Sequence, residues 1–154
     1  MPKIPMPRHE EQRVLPYAPD FFFDIIADVG SYPEFLPWCV GTRVYKKRER
    51  ELYADVSIGF KMLRETWTTR LMLDRPNKIT ADYIRGPMKH LHNEWRFTPH
   101  AEGVLVDFVL DFEFKNPLLQ KLAGHMFEEA VHKMVMAFDK RAADLANRKR
   151  IWVR

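Results

Sequence analysis

The middle of the chain alternates between apolar and polar side chains, and this alternation most limits what the chain can fold into. In residues 52–62 the apolar side chains occupy every second position: Leu52, Ala54, Val56, Ile58, Phe60 and Met62. Residues 104–114 repeat the pattern with Val104, Val106, Phe108, Leu110, Phe112 and Phe114. Because successive side chains of a strand point to opposite faces, this period predicts half-buried β-strands.

Turn-forming residues divide this region into strands joined by hairpins. Proline, glycine, asparagine and charged residues interrupt the alternation at 47–50, 75–77, 85–87 and 101–103. Strands joined in series by short turns form one antiparallel sheet with a single apolar face. A further strand is predicted over residues 11–17, ahead of the first helix.

Helical spacing appears on both sides of the strands. Residues 20–29 carry apolar side chains at near-helical intervals, and Gly30 and Pro33 end that helix. After a capping Asn116 and Pro117, apolar residues recur every three or four positions to Leu145. This second helix has about 30 residues and a length of roughly 45 Å. The sequence therefore predicts an α+β fold, a curved antiparallel sheet packed on a long C-terminal helix.

A rigid apolar segment follows the first helix: Tyr32-Pro33-Glu34-Phe35-Leu36-Pro37-Trp38-Cys39. Proline fixes φ and lacks a backbone donor, which excludes a long helix or a central strand here. A loop that keeps Phe35, Leu36 and Trp38 either plugs the core or covers an apolar ligand. The residues alone leave both interpretations open.

A helix that crosses a bent sheet approaches the ends of the sheet more closely than its middle. Large inward side chains at the ends would then leave an apolar cavity, and such cavities admit apolar guests. The predicted ligand-binding residues are Phe35, Trp38, Val56, Ile58, Phe60, Trp67, Thr69, Tyr83, Asn93, Trp95, Phe108, Phe112, Met126, Ala130 and Met134. The alternative is that these rings and methionines simply fill the core.

Polar groups among these positions suggest how a ligand would be held. The Asn93 amide and the Tyr83 hydroxyl would bond to a ligand carbonyl or to water near the mouth of the cavity, because a buried amide without a partner costs about 1–3 kcal/mol. The inward strand positions between 52 and 114 include no aspartate, glutamate or histidine. By parity His90 and His92 face outward, and Cys39 has no evident base partner. The sequence therefore predicts no catalytic residue and no metal site.

Charge is concentrated at the end of the chain. The net charge is +4, and residues 140–154 hold six cations against the single carboxylate of Asp144. Residues 146–154 are a basic tail that suits an anionic membrane surface or an RNA backbone, or else a solvated helix end whose cations favour the helix dipole. Residues 1–9 are predicted to be a flexible leader, and 1–154 to be one domain. The single Cys39 excludes an internal disulfide and indicates a reducing compartment.

Several motifs resemble the START-related helix-grip superfamily, and in particular its coenzyme Q-binding branch. They are Leu15-Pro16-Tyr17, Asp28-Val29, the 32–39 segment, Gly86-Pro87, Leu91, Trp95-Arg96-Phe97, Phe112-Glu113-Phe114 and the helix over 127–142. The resemblance implies two short helices after the first strand. It also implies binding of coenzyme Q or a related polyprenyl lipid in support of respiration, with no catalysis and no cofactor. Met88 departs from the family, which often has Phe after Gly86-Pro87.

The chain also resembles the ribosome-association toxins, which share the same layout, so the large ribosomal subunit is the alternative partner. Trp38, where the toxins are expected to carry Gly, and Glu65 ahead of Trp67 favour the lipid branch. A third alternative is a cyclase or hydrolase on the same fold. For a lipid carrier we expect a cytoplasmic protein, or one on the matrix side in mitochondria, that touches an anionic inner membrane transiently. The sequence does not indicate an oligomeric state.

Overall fold

The computed structural model describes residues 8–60 and 62–152, with the backbone alone at residue 60 and over 149–152. Within these residues it contains seven strands: β1 (Arg8–Leu15), β2 (Cys39–Tyr45), β3 (Glu51–Phe60), β4 (Leu63–Asp74), β5 (Lys78–Arg85), β6 (Met88–His100) and β7 (Gly103–Phe114). The helices are α1 (Pro19–Ala27), a 3-10 helix (Val29–Glu34) and α2 (Pro117–Trp152). The predicted α+β helix-grip architecture is confirmed.

All strand pairs are antiparallel, and the spatial order is β1-β7-β6-β5-β4-β3-β2. The four predicted turns fall between the strands as expected. The only crossover runs from β1 through α1 and the 3-10 helix to β2, which lies at the opposite edge of the described sheet. The pairing register shifts once in each of three ladders: in β2–β3, in β4–β5, and in β6–β7 near the start of β6. Such irregularities bend strands, which helps this sheet to curve around α2.

The first strand begins earlier than the sequence pattern indicated. β1 pairs with β7 from Arg8 opposite Asp111 to Leu15 opposite Val104. The Arg8 guanidinium also donates to the Asp111 carboxylate at 2.8 Å. Arg8 and His9 therefore belong to the sheet and not to a flexible leader, and residues 1–7 of the predicted leader lie outside the described residues. Alternation alone missed these two positions because their side chains are polar or charged.

The first helix is shorter than predicted. It ends at Ala27, and after Asp28 the chain continues as the 3-10 helix that contains Pro33. This confirms the two short helices that the resemblance implied. At the far end of β1, Gly103 adopts a φ of +138°, and a Cβ there would lie 2.1 Å from the Leu15 carbonyl oxygen. Only glycine permits this close approach of the β6–β7 turn to the end of β1.

The long helix α2 is anchored at its start by side-chain hydrogen bonds. The Asn116 Oδ1 accepts from the Leu118 backbone N–H at 2.8 Å, as its predicted capping role requires. The Gln120 Oε1 accepts from the Phe114 N–H at 2.7 Å and ties the first turn to the end of β7. Along the described chain no helix combines the length and apolarity needed to cross a membrane. The side chains of the last four residues in α2 lie outside the described residues, and with them most of the basic tail.

Candidate ligand cavity

The buried apolar side chains of the described residues form two clusters instead of one. The larger cluster joins α1, the inner face of the sheet and the second half of α2, and it includes Phe22, Trp95, Phe97 and Phe138. The smaller cluster lies where α2 begins, and its buried members are Leu63, Met88, Phe114, Ala123 and Met126. Helix and sheet therefore pack closely at two places along α2, with a less filled region between them.

A cavity of about 210 Å³ occupies that region. Residues of both clusters form its wall, so it bridges them. Of the fifteen sequence-predicted residues, the structure places eleven in the wall: Trp38, Val56, Ile58, Trp67, Thr69, Asn93, Trp95, Phe112, Met126, Ala130 and Met134. Apolar cavities of about 150 Å³ hold benzene, so this one has room for a single substituted ring. A long prenyl chain would not fit within it.

Three predicted residues do not line the cavity. The Phe35 ring packs against Phe138 at 5.3 Å between centroids, with the Arg141 guanidinium 5.0 Å from its centre. Phe108 is buried behind Trp95, with their ring centroids 4.3 Å apart. The Tyr83 hydroxyl accepts a hydrogen bond from the Met88 N–H at 3.0 Å and so serves the β5–β6 turn. The fourth, Phe60, has a side chain outside the described residues.

The wall also contains residues that the sequence analysis did not select. They are Val29, Tyr32, Leu36, Cys39, Leu63, Leu71, Ala81, Met88, Leu91, Leu110, Phe114, Ala123, Phe127, Val131 and Phe138. Leu71, Ala81 and Leu91 each stand two positions from a residue predicted to face inward, so strand parity weighted less toward aromatic residues would have found them. The helix residues share the apolar stripe of Met126 and Met134.

The proline-rich segment forms one side of the cavity and is tied down by hydrogen bonds. The Trp38 indole N–H donates to the Ala130 carbonyl on α2 at 3.3 Å, and the Trp38 carbonyl accepts from the Gly59 N–H at 2.9 Å. The Tyr32 hydroxyl donates to the Ile26 carbonyl of α1. This segment thus both packs into the core, through buried Leu36 and Cys39, and covers the cavity through Trp38.

The Asn93 and Thr69 side chains of the cavity wall form hydrogen bonds within the protein. The Asn93 amide donates to the Val109 carbonyl at 3.2 Å, and its oxygen accepts from the Trp95 indole N–H at 3.0 Å. The Thr69 hydroxyl donates to the Asp82 carbonyl at 3.0 Å. Buried polar groups with such partners avoid the cost of desolvation. The wall therefore selects a guest by shape and apolarity more than by hydrogen bonding.

Among the described residues, the cavity wall includes no carboxylate and no imidazole. Its thiol, Cys39, is buried, and this burial raises its pKa while a contact with the Gly41 carbonyl at 3.9 Å acts in the opposite direction. Burial also raises the pKa of the Tyr32 hydroxyl. A neutral thiol is a poor nucleophile. The wall thus lacks the groups that acid–base or thiol chemistry would use.

Charged side chains lie outside this cavity. His90, which parity placed on the outer face, bonds to the Asp111 carboxylate at 3.0 Å. A shallow groove of about 530 Å³ between β1 and α2 contains His9, Glu11, Arg13, His132 and Asp139 among its lining residues. Arg13 pairs there with both Glu11 and Asp139 at 2.6 and 2.5 Å. Within the described residues no group of three or more His, Cys, Asp or Glu side chains is arranged to hold a metal ion.

Comparison with known families identifies the fold and its relatives. The family described as polyketide cyclase / dehydrase and lipid transport matches residues 15–139. The chain belongs to this family. The family description includes both enzymes and lipid transport, so membership establishes the family but not which of the two activities this chain has.

Relatives of both predicted branches match nearly the whole chain. A ribosome association toxin RatA from Rickettsia prowazekii is 34% identical in an alignment of 144 positions that covers 88% of this chain and 96% of the relative. The mitochondrial coenzyme Q-binding protein COQ10 homolog B from Xenopus laevis is 31% identical in an alignment of 148 positions that covers 93% of this chain and 61% of that protein. The solved structure of the 18 kDa protein CC1736 from Caulobacter crescentus superposes with a TM-score of 0.76 at 36% identity, covering 92% of this chain and 99% of that one. The predicted resemblance is therefore confirmed at the level of the family that these branches share.

Proposed function

We propose that the protein binds coenzyme Q or a related polyprenyl lipid without catalysis, in support of respiratory electron transport. The observation that carries the proposal is the cavity between the two clusters, which is apolar and whose Asn93, Thr69 and Trp38 groups already have partners in the chain. A ligand ring that needs few hydrogen bonds from the protein suits such a wall. The COQ10 relative supports the choice of a quinone.

The volume divides the ligand into two parts. The ring would occupy the cavity against Trp67, Trp95 and Phe112, while most of the prenyl chain remains in a membrane or leaves past the covering segment. Met126 and Met134 extend flexible thioethers from α2 into the wall and would adapt to ring substituents. The absence of carboxylate and imidazole from the described wall favours a carrier over a cyclase or hydrolase. We infer a peripheral location on the cytoplasmic or matrix face of the inner membrane.

Lipid extraction tests this function directly. Protein purified from its host is extracted with organic solvent and analysed by mass spectrometry, and apo-protein is titrated with a short-chain quinone in detergent. We expect a prenyl quinone to co-purify and the titration to saturate at one ring per chain. If neither binds, the proposal is wrong.

A cavity-filling substitution gives the matched control. Ala130→Phe places a ring in the space of about 210 Å³ and should abolish quinone binding. His125→Phe adds the same ring to an exposed position of α2 that is not part of the wall. It should bind as the wild type does. Equal binding by both variants would place the ligand elsewhere.

Association with the large ribosomal subunit is the second candidate. It is favoured by the toxin relative, which the match spans for 96% of its length. The expectation that Trp38 and Glu65 separate the lipid branch from the toxins stays a prediction. Sedimentation of lysate distinguishes the two functions, because a ribosome-binding protein migrates with the large subunit and is released by salt.

A further inference from the structure

Exposed apolar side chains gather at one end of the molecule. We define the hairpin end by Met62, which lies in the turn between β3 and β4, by the β5–β6 turn at 86–87 and by the β7–α2 connection at 115–116. Met62, in the first of these turns, is 91% exposed, and Leu118, in the first turn of α2, is 74% exposed. Val40, which lies against Gly59 two residues before the first turn, is 57% exposed.

All three residues stand at the hairpin end. Leu63, the neighbour of Met62, and Leu119, the neighbour of Leu118, lie in the same hydrophobic cluster. Cys39, the neighbour of Val40, pairs with Ile58 of β3 in the same ladder that leads to the turn. The three turns at the opposite end, at 46–50, 75–77 and 101–102, contain no large aliphatic or aromatic residue. Exposed apolar residues scattered singly need no explanation, whereas several of them gathered at one end of a molecule indicate an interaction site.

Several exposed cations at the hairpin end have no ion-pair partner among the described residues. Within the described parts of 61–65, 85–89 and 113–121 there are five cations against Glu65 and Glu113. Lys89 pairs with Glu113 at 3.0 Å. The remaining four, Arg64, Arg85, Lys115 and Lys121, are exposed and form no ion pair with any described residue. Exposed apolar side chains and cations at the same end of the molecule match the interface of an anionic bilayer, where acyl chains meet negative headgroups.

The cavity lies directly behind the hairpin end. Leu63, Met88, Phe114 and Ala123 belong to the small cluster at this end and also line the cavity. We propose that the protein docks on an anionic lipid bilayer through the hairpin end, with Met62, Leu118 and Val40 inserted below the headgroups, and exchanges its ligand there. This inference rests on the proposed function and assigns it a surface other than the basic tail. An RNA backbone would engage the cations but would leave the three apolar side chains unused.

Vesicle flotation tests the docking surface. The full chain is floated with phosphatidylcholine vesicles that contain or lack phosphatidylglycerol, at low and high salt. We expect binding to need the anionic lipid and to weaken with salt. The double variant M62D/L118D should bind at least about tenfold more weakly than the wild type, since it loses two inserted side chains. Met136→Asp is the matched control, because Met136 is 57% exposed on α2 away from the hairpin end, and it should bind normally.

A second pair of variants tests the cations. Arg85→Ala/Lys115→Ala should reduce binding to anionic vesicles several-fold, while Lys47→Ala/Arg50→Ala in the opposite β2–β3 turn should not. Melting curves verify that each variant is folded. Docking through the hairpin end is overturned if M62D/L118D floats like the wild type, or if the wild type ignores vesicles and instead sediments with ribosomal RNA through the same cations. Quinone binding in detergent, measured on the same variants, separates this outcome from failure of the proposed function.

Discussion

The two hydrophobic clusters of this protein use the same sheet and the same helix but pack differently. In the larger cluster, rings contact rings: Trp95 lies 4.3 Å from Phe108 and 5.6 Å from Phe138, and Phe97 contacts Phe22 and Phe23. In the smaller cluster the buried side chains are mostly aliphatic or thioether, with Phe114 as the buried ring. The cavity lies between them and is bounded by both.

This difference separates stability from binding. A dense aromatic cluster loses much contact energy when one ring is removed, because its neighbours cannot close the gap. A side chain that borders a cavity has fewer partners to lose. The rings of the larger cluster that lie away from the cavity therefore stabilise the fold most, while the side chains of both clusters that border the cavity leave room for a guest. The smaller cluster also forms the base of the hairpin end.

The largest effect is expected from Phe97→Ala. This ring is buried among Phe22, Phe23 and Trp95 and does not line the cavity. Its removal should lower the free energy of unfolding by about 3–5 kcal/mol, measured by urea denaturation. Phe112→Ala, on the cavity wall and only partly buried, should cost clearly less. Equal costs would mean that the two regions are packed alike.

A substitution in the turn beside Trp67 should have the next largest effect. Gly86 has a φ of +145°, and a Cβ there would lie 2.7 Å from the Cβ of Trp67. Gly86→Ala should therefore destabilise by about 2 kcal/mol, through strain and displacement of a cavity-wall residue. It should also weaken quinone binding. Gly124→Ala is the control, because a Cβ at that position in α2 meets nothing within 4 Å, and a melting temperature no lower than that of the wild type is expected.

Loosening the covering segment at Trp38 should change the rate of quinone exchange more than the free energy of unfolding. Trp38→Phe keeps an aromatic ring but removes the hydrogen bond to the Ala130 carbonyl. We expect a loss of about 1 kcal/mol in unfolding free energy and faster release of bound quinone, followed by fluorescence. Trp38→Gly should empty the cavity of lipid with only a small further change in melting temperature. Collapse of the fold would instead identify Trp38 as a core residue.

The smallest change in stability at neutral pH is expected from substitution of an ionisable group at the cavity. Burial raises the pKa of Cys39 and of Tyr32 in the folded chain. Above the ordinary thiol pKa of about 8.5 the unfolded chain loses a proton that the folded chain keeps, so stability falls as pH rises. Cys39→Ala should flatten this alkaline decline in denaturation midpoints. Below pH 8 the denaturation midpoints of the wild type and of Cys39→Ala should vary in parallel with pH. If the midpoints of the two proteins also fall equally steeply above pH 8, the raised pKa of Cys39 is not the cause of the decline.

Sequence patterns predicted the fold and eleven of the 26 residues of the described cavity wall, because both follow from local periodicity. A period of two located most of the strands, and turn residues located four of the five hairpins. The β3–β4 turn was missed because Met62 continues the alternation of β3 and was assigned to that strand. The asparagine cap and a helical repeat located α2. The errors have the same origin. Arg8 and His9 were missed because pairing with β7, and not their own polarity, makes them a strand.

Phe108 and Phe112 show what only tertiary structure decided. Both lie on the inward face of β7, four residues apart, and the sequence treats them as equivalent. Phe108 is buried against Trp95, whereas Phe112 borders the cavity beside Phe127. The alternation of one strand determines which face a side chain takes. Which residue a side chain meets across the core depends on where the curved sheet and helix α2 move apart. The spacing between sheet and helix is set by residues far apart in the chain.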